Sequence, residues 1–436
     1  MSSATLDSPA VPLAKSVFPD APAWDHAAVP AWFGASQRAA WDAFARLPLP
    51  SRRDEAWRFA DLKHLALEGY VVDASAAAAP RASLALLDHA AARFVFVNGH
   101  FQESASHLPG GVQVLRLAEA LAIHGDRLQA VLQPPETGLG SAKFAALHHA
   151  QLADAVVIAI AAGQELEHPI EIVHLLEGPR AASFPRTIVL AEAKAKVAVL
   201  EHHLSQGPGG LSIGAAQLVA AEGSTIHYAL LNRLGAGSKA MHFSTVAAGR
   251  DAQVRHSLFN LGSGWARTEC RSLLEGPGSR SEMYSVSLAA DGQEVDQRTL
   301  QDHLSPHSYS DLLYKNVLFD TSRTIFAGLI KVDEGAHGTD AYQKCRNLLL
   351  SDDCEANSMP GLEINADQVK CSHGSTTGRI AEDELFYFES RGIPRLEATR
   401  LIAVGFAQEV VAKIGHPAME ALIGQAVEER FAQQGA

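Results

Sequence analysis

Thr225-Ile-His-Tyr-Ala-Leu-Leu231, a turn at Gly237 and another at Gly249, then Val254-Arg-His-Ser-Leu-Phe259 with Gly262 behind it, is the stretch that decides the fold. Apolar runs of strand length alternate here with turn residues, and no helical period passes through them. The pattern extends upstream through runs at 156–160, 170–175, 187–190 and 197–200, and downstream to 283–288. Turn glycines fall at Gly163, Gly178, Gly207, Gly223, Gly237, Gly249, Gly262, Gly276 and Gly292, most neighbours roughly 13 to 16 apart. The wide gap from Gly178 to Gly207 fits two units with one turn lacking its glycine. A strand-plus-turn repeat sustained this long marks a solenoid, in which each rung buries its apolar face only against its neighbours. No helical crossover fits between the strands, so a doubly wound sheet is excluded. Hairpins produce similar spacing, so a sandwich or barrel stays open on pattern alone.

The flanks read differently. Residues before about 35 are rich in Pro and Ala and form a lead-in. Ser36 is placed as the cap of a helix running to about Leu47, ended by Pro48 and Pro50. Trp57 and Phe59 read as core anchors. Residues 74–80 form an alanine-rich linker, and residues 94–99 a strand closed by Asn98-Gly99. Helical patches follow near 117–123 and 144–150. Beyond Gly378 the helical period returns, with acids at Glu382, Asp383 and Glu384 in a first turn. A second helix spans 396–414, and a third begins at Pro417. These helices either cap the open end of a solenoid or dock a partner. The resulting division is an N-terminal helical and mixed region at 1–150, a β core at 151–378 and a C-terminal helical region at 379–436.

The chain has 436 residues, 47% of them hydrophobic and 19% charged, which suits a globular protein with a large core. A net charge of −13 argues against nucleic acid as the main partner. Four cysteines, Cys270, Cys345, Cys354 and Cys371, include no CxxC pair, so reduced thiols in a cytoplasmic setting are expected. No signal peptide and no apolar run long enough to span a bilayer are read. There is no P-loop, HExxH, GxSxG or dinucleotide fingerprint, so the chain is expected to be no enzyme.

One further stretch carries chemistry: Met359-Pro-Gly-Leu-Glu-Ile-Asn-Ala-Asp-Gln-Val-Lys-Cys-Ser-His-Gly-Ser-Thr-Thr-Gly378. It reads as a short strand pair, 362–364 and 368–370, turning at 365–367. Cys371 and His373, two apart on an extended backbone, face the same side. A thiolate and an imidazole there suit iron, zinc or an iron–sulfur cluster. Two ligands do not complete a site, so a partner or a distant rung must supply the rest.

Followed by Asp383-Glu-Leu-Phe-Tyr-Phe-Glu-Ser-Arg-Gly-Ile393, this stretch closely resembles the C-terminal signature of the SufB/SufD family. Lys370-Cys-Ser-His-Gly374 resembles the SufD branch. Glu55-Ala-Trp-Arg58, Arg323-Thr-Ile-Phe-Ala-Gly328 and Gln343-Lys-Cys-Arg-Asn-Leu348 resemble other family stretches. The resemblance implies a right-handed parallel β-helix core flanked by N- and C-terminal helical regions. It also implies a non-ATPase subunit of the SufB–SufC–SufD iron–sulfur cluster assembly complex. By resemblance, His373 is the histidine implicated in cluster assembly at the interface with SufB, Cys371 is its neighbour, and the terminal helices bind the ATPase SufC. A transient cluster or iron would sit at that interface, and SufE and SufS would act as sulfur donors through the complex. The complex is also associated with reduced flavin, for which no residue pattern here places a site.

Cys354 aligns where SufB carries its cluster-building cysteine; it is a third candidate ligand or an inert thiol. Cys270 and Cys345 read as core residues. His202 and His203 lie on a strand and face opposite sides, with one of them interior. His303, His307 and His337 fall in segments read as solvated loops. Two other readings stay open: a SufB-like scaffold that itself carries the cluster, and a β-helix carbohydrate-active enzyme.

Overall fold

The computed structural model describes residues 29–72, 85–207 and 209–434; the linker read at 74–80 and most of the lead-in lie outside the described residues. From residue 156 onward the chain winds as a solenoid, successive strands alternating between two ten-stranded sheets that face each other. Thr225 lies beside Gln253, Gln253 beside Arg280, Arg280 beside Tyr309, Tyr309 beside Asp340 and Asp340 beside Lys370, all in parallel register. Each rung therefore consumes about 30 residues, two strand-plus-turn units of the sequence repeat. The fold is a parallel β-helix, and the sandwich and barrel alternatives fall away.

Turn glycines such as Gly163, Gly178, Gly207, Gly223 and Gly292 take positive φ, whereas Gly262 and Gly276 have a steric cause. A Cβ at Gly276 would stand 2.0 Å from the amide nitrogen of Arg250 in the turn one rung below, and one at Gly262 would stand 2.2 Å from the carbonyl oxygen of Leu234. Stacked turns approach too closely for side chains there. The turn missing its glycine is at Lys194, which takes φ 60 itself.

Inside the rungs, apolar columns are interleaved with a polar one. Its members are His174, His203, Asn232, Asn260, Ser287, Asn316, Asn347 and Thr377, in register from rung to rung. Asn316 Nδ2 donates to Asn347 Oδ1 at 2.7 Å, and Asn347 Nδ2 donates to Thr377 Oγ1 at 3.0 Å. Such a ladder pairs buried amide N–H groups along the solenoid axis.

Three surfaces of the solenoid are covered. At its start, strand Ala92–Val97 pairs antiparallel with His100–Ser106 through Asn98 (φ 51) and Gly99 (φ 84), the conformation a two-residue hairpin requires. In the opposite sheet Val112–Arg116 runs antiparallel to Val156–Ile160. The outer face of the second sheet is covered by helix α1 (Ala31–Arg46), residues 55–72 and, beyond helix α2 (Leu117–Val131), helix α3 (Ala142–Ala150). Helix α1 begins at Ala31 behind Pro30, five residues before the expected cap; Ser36 lies inside it, its hydroxyl 2.5 Å from His149 Nε2.

The third cover corrects a possibility left open by the sequence. Helices α4 (Glu382–Glu389), α5 (Arg395–Val411) and α6 (Pro417–Gln434) do not cap the open end. Ala403, Ala407, Val410, Met419, Ile423 and Val427 pack on the outer face of the first sheet against residues such as Leu231, Phe259 and Val317. Buried Lys315 fixes the docking, donating to the Phe406 carbonyl at 2.7 Å and to Glu409 at 2.5 Å.

Candidate functional site

The last rung is formed by strands Glu355–Ile364 and Lys370–Gly378, which end the two sheets. The expected hairpin at 362–370 is therefore absent. These segments belong to opposite sheets, each paired in parallel with the rung below. Parallel stacking prevailed because it continues the inward columns: Leu362 follows Ile330 and Ile364 follows Val332. Ile330 and Val332 are fully buried, whereas Leu362 is 38% and Ile364 40% exposed. Among the described residues nothing further along the chain covers them.

Cys371 and His373 stand on this rung as the sequence placed them, in the inward columns above Ala341 and Gln343. Cys371 is half-buried and His373 exposed. Burial, with the nearby charge of Asp340, raises the Cys371 thiol above its ordinary range. Cys354 is elsewhere. It lies in the turn after strand Asp340–Leu349, buried, its thiol donating to the Ser351 carbonyl at 3.1 Å. Cys371 pairs near the opposite end of that strand, at Ala341. Eight strand residues put roughly 26 Å between them, so Cys354 and the Cys371–His373 pair do not share an ion within one chain. Cys270 and Cys345 are core residues, and burial pushes the Cys345 thiol up to about 11.

Near the bare end, helices α4 and α5 leave apolar side chains in solvent: Phe386 at 70%, Tyr387 at 55% and Leu396 at 66% exposure. Trp57, by contrast, is a core anchor as read. Its indole N–H donates to the Gly140 carbonyl at 2.8 Å, and its ring stacks under buried Arg267, which pairs with Glu269 and Asp296.

The histidines depart most from the sequence reading. His303 is not a solvated loop residue; it ends strand Glu294–His303, fully buried, bonded to Ser308 at 2.7 Å and Ser310 at 2.8 Å. His307 and His337 are exposed in turns as expected. His202 and His203 do face opposite sides, but both are buried. His202 Nε2 lies 3.0 Å from Glu171 Oε1, and Glu171 also accepts from the backbone of Leu87.

His203 belongs to an interior cluster that sequence reasoning missed. Its Nε2 is 2.9 Å from Glu201 Oε1, and His174 Nε2 is 3.6 Å from the same oxygen. Glu201 Oε2 accepts from Thr187 at 2.6 Å and Tyr228 at 3.0 Å. Burial works against ionising Glu201, but the His203 contact and neighbouring imidazoles outweigh it and hold the carboxyl below its usual range. Burial lowers His174 and His242 to about 3, so both are neutral. The signal was present: His174 and His203 are one rung apart, two units of the turn-glycine repeat.

The chain is thus a parallel β-helix with covered flanks and a thiol–imidazole pair on its last rung. A family profile described as "SUF system FeS cluster assembly, SufBD core domain" matches residues 174–406, and the chain belongs to the SufBD family. It is 29% identical over 372 residues to the iron–sulfur cluster assembly protein SufD of Escherichia coli, covering 84% of this chain and 85% of that protein. A SufBD family protein of Synechocystis is 27% identical over 409 residues, 88% of each chain. One of Mycobacterium tuberculosis is 36% identical over 191 residues, 42% of this chain and 48% of that one. The chain is thus a SufD-like iron–sulfur cluster assembly protein. Among the described residues no helix is long and apolar enough to cross a membrane.

Proposed function

We propose that this chain is the SufD-like subunit of a cytoplasmic SufB–SufC–SufD complex, and that its bare last rung is where SufB docks. The observation that carries the reading is the break in burial between Val332 and Ile364, neighbours in one column. Two unpaired edge strands with apolar inward residues are a template for strand addition by a partner sheet. Docking would bury Leu362 and Ile364 and hold His373 and Cys371 against the partner's ligands. The chain then contributes an imidazole, and a thiol that ionises on metal contact, to nascent cluster formation, with iron and sulfide as cargo. SufC would seat on the exposed apolar side chains of α4 and α5, and sulfur would reach the complex from SufE and SufS. Cys354, buried and far from His373, does not favour the SufB-like alternative.

The test is co-expression with SufB and SufC followed by anaerobic reconstitution, comparing the native chain with His373→Ala. The expected result is full complex recovery with reduced iron and sulfide. Unchanged cluster content would leave the chain as an adaptor, and failure of the native chain to associate would overturn the reading.

A further inference from the structure

We propose that the solenoid interior holds a second site, for one first-row divalent transition-metal ion, ligated by His174 Nε2, Glu201 Oε1 and His203 Nε2. These three atoms lie within 4.8 Å of one another. The site is independent of the last rung: six steps of the column from His203 to Thr377 separate them by roughly 29 Å.

Four observations carry it. First, both ring nitrogens of His174 and of neighbouring His242 lack a hydrogen-bond partner, although these side chains are 7% and 3% exposed. Buried polar groups are ordinarily paired, and a bound ion would give His174 Nε2 its partner. Second, Glu201 is fully buried, and no lysine or arginine is among the groups acting on its charge. Histidines are the basic groups acting on it, and a bound cation would add a full counter-charge. Third, the donors are already oriented. Thr187 and Tyr228 take Glu201 Oε2 and leave Oε1 toward the imidazoles, while Ser212 Oγ lies 3.4 Å from the far nitrogen of His203. Such outer contacts set the ligand geometry of built metal sites. Fourth, glycine lets the imidazoles converge: Gly214 sits opposite, and a Cβ there would come within 2.8 Å of the His203 ring and 2.9 Å of His242.

Metal–nitrogen bonds of about 2.0–2.1 Å need donors roughly 3.4 Å apart. The His174 contact already has this span, and the His203 contact opens by a few tenths of an ångström. Two imidazoles and one carboxylate suit Fe²⁺, Zn²⁺ or Co²⁺. His174 also lines a cavity of about 20 Å³ shared with Asn98, Gln151 and Ser183, the size of one water.

The experiment uses the full chain carrying Cys354→Ser, Cys371→Ser and His373→Ala, which removes the candidate ligands near the bare end. Anaerobic titration with Co²⁺ is expected to give one equivalent with visible d–d absorption. Adding Glu201→Gln or His174→Gln is expected to weaken binding at least about 100-fold, with far-ultraviolet circular dichroism unchanged. Absence of a band, or a band indifferent to both substitutions, overturns the proposal. Should either variant misfold, X-ray absorption on the Co²⁺-loaded triple variant decides. Two imidazoles among nitrogen and oxygen scatterers support the site; sulfur scatterers or no imidazole overturn it.

Discussion

The two ends of the solenoid terminate the same pair of sheets in opposite ways. At the first end the outermost strand of one sheet, His100–Ser106, is antiparallel, polar and almost wholly exposed, and the register slips between Val95 and Phe96. Polar side chains and an irregular register blunt an edge against further pairing. At the last end the rung keeps the parallel register and inward side chains of the rungs beneath, with none of the described residues covering them. His303, Val332 and Ile364 make the point in one column: the first two are fully buried and the third is 40% exposed. The difference lies in the neighbour, and it separates an end finished by its own chain from an end made as core.

The largest effect that sharpens this contrast is a charge in that column. Val332→Asp is expected to cost more than about 4 kcal/mol and leave the chain unfolded or insoluble. Ile364→Asp is expected to fold with little change in melting temperature but to lose co-elution with SufB. Equal destabilisation of both would break the comparison. Truncation gives a smaller version: Ile330→Ala should cost about 2–5 kcal/mol in urea unfolding, and Leu362→Ala less than about 1 kcal/mol.

Next comes pH. Burial lowers His303 to about 4, against an unfolded value near 6.5. Its contribution is complete above pH 6.5 and is lost as pH falls toward 4, because only the unfolded chain takes up the proton. The slope is about 1.4 kcal/mol per pH unit for each such histidine. His303→Gln should flatten the pH dependence of the urea midpoint by that one proton; an unchanged slope would place His303 in water.

The smallest effect costs no stability. Native-state alkylation should modify Cys371 and spare Cys345 and Cys270, with the Cys371 rate still rising above pH 9 because its thiol is raised. Modification of Cys345 at a similar rate would mean the last rung frays.

How much was legible follows from which interactions are local. The strands at 156–160, 170–177 and 254–259 carry apolar runs, and their turns need glycine wherever stacked turns approach closely, so the repeat was readable. Glu294–His303 reads Glu-Val-Asp-Gln-Arg-Thr-Leu-Gln-Asp-His and showed no strand signal, yet nearly all of it is buried. Some of its polar groups find partners only across the interior, as when Gln297 Nε2 reaches Ser285 and Ser287 on the facing sheet. The strand pair expected at 362–370 failed for the same reason, since turn chemistry does not say which sheet a strand joins.

By itself the sequence determined the repeat, the helical flanks and the Cys371–His373 pair, because turn sterics, helical period and strand alternation act within a few residues. Only the tertiary structure decided that the C-terminal helices lie along the first sheet and leave the end bare. It alone also brought His174 beside Glu201 and His203, because rung-to-rung register joins residues about 30 apart through a core no local pattern describes.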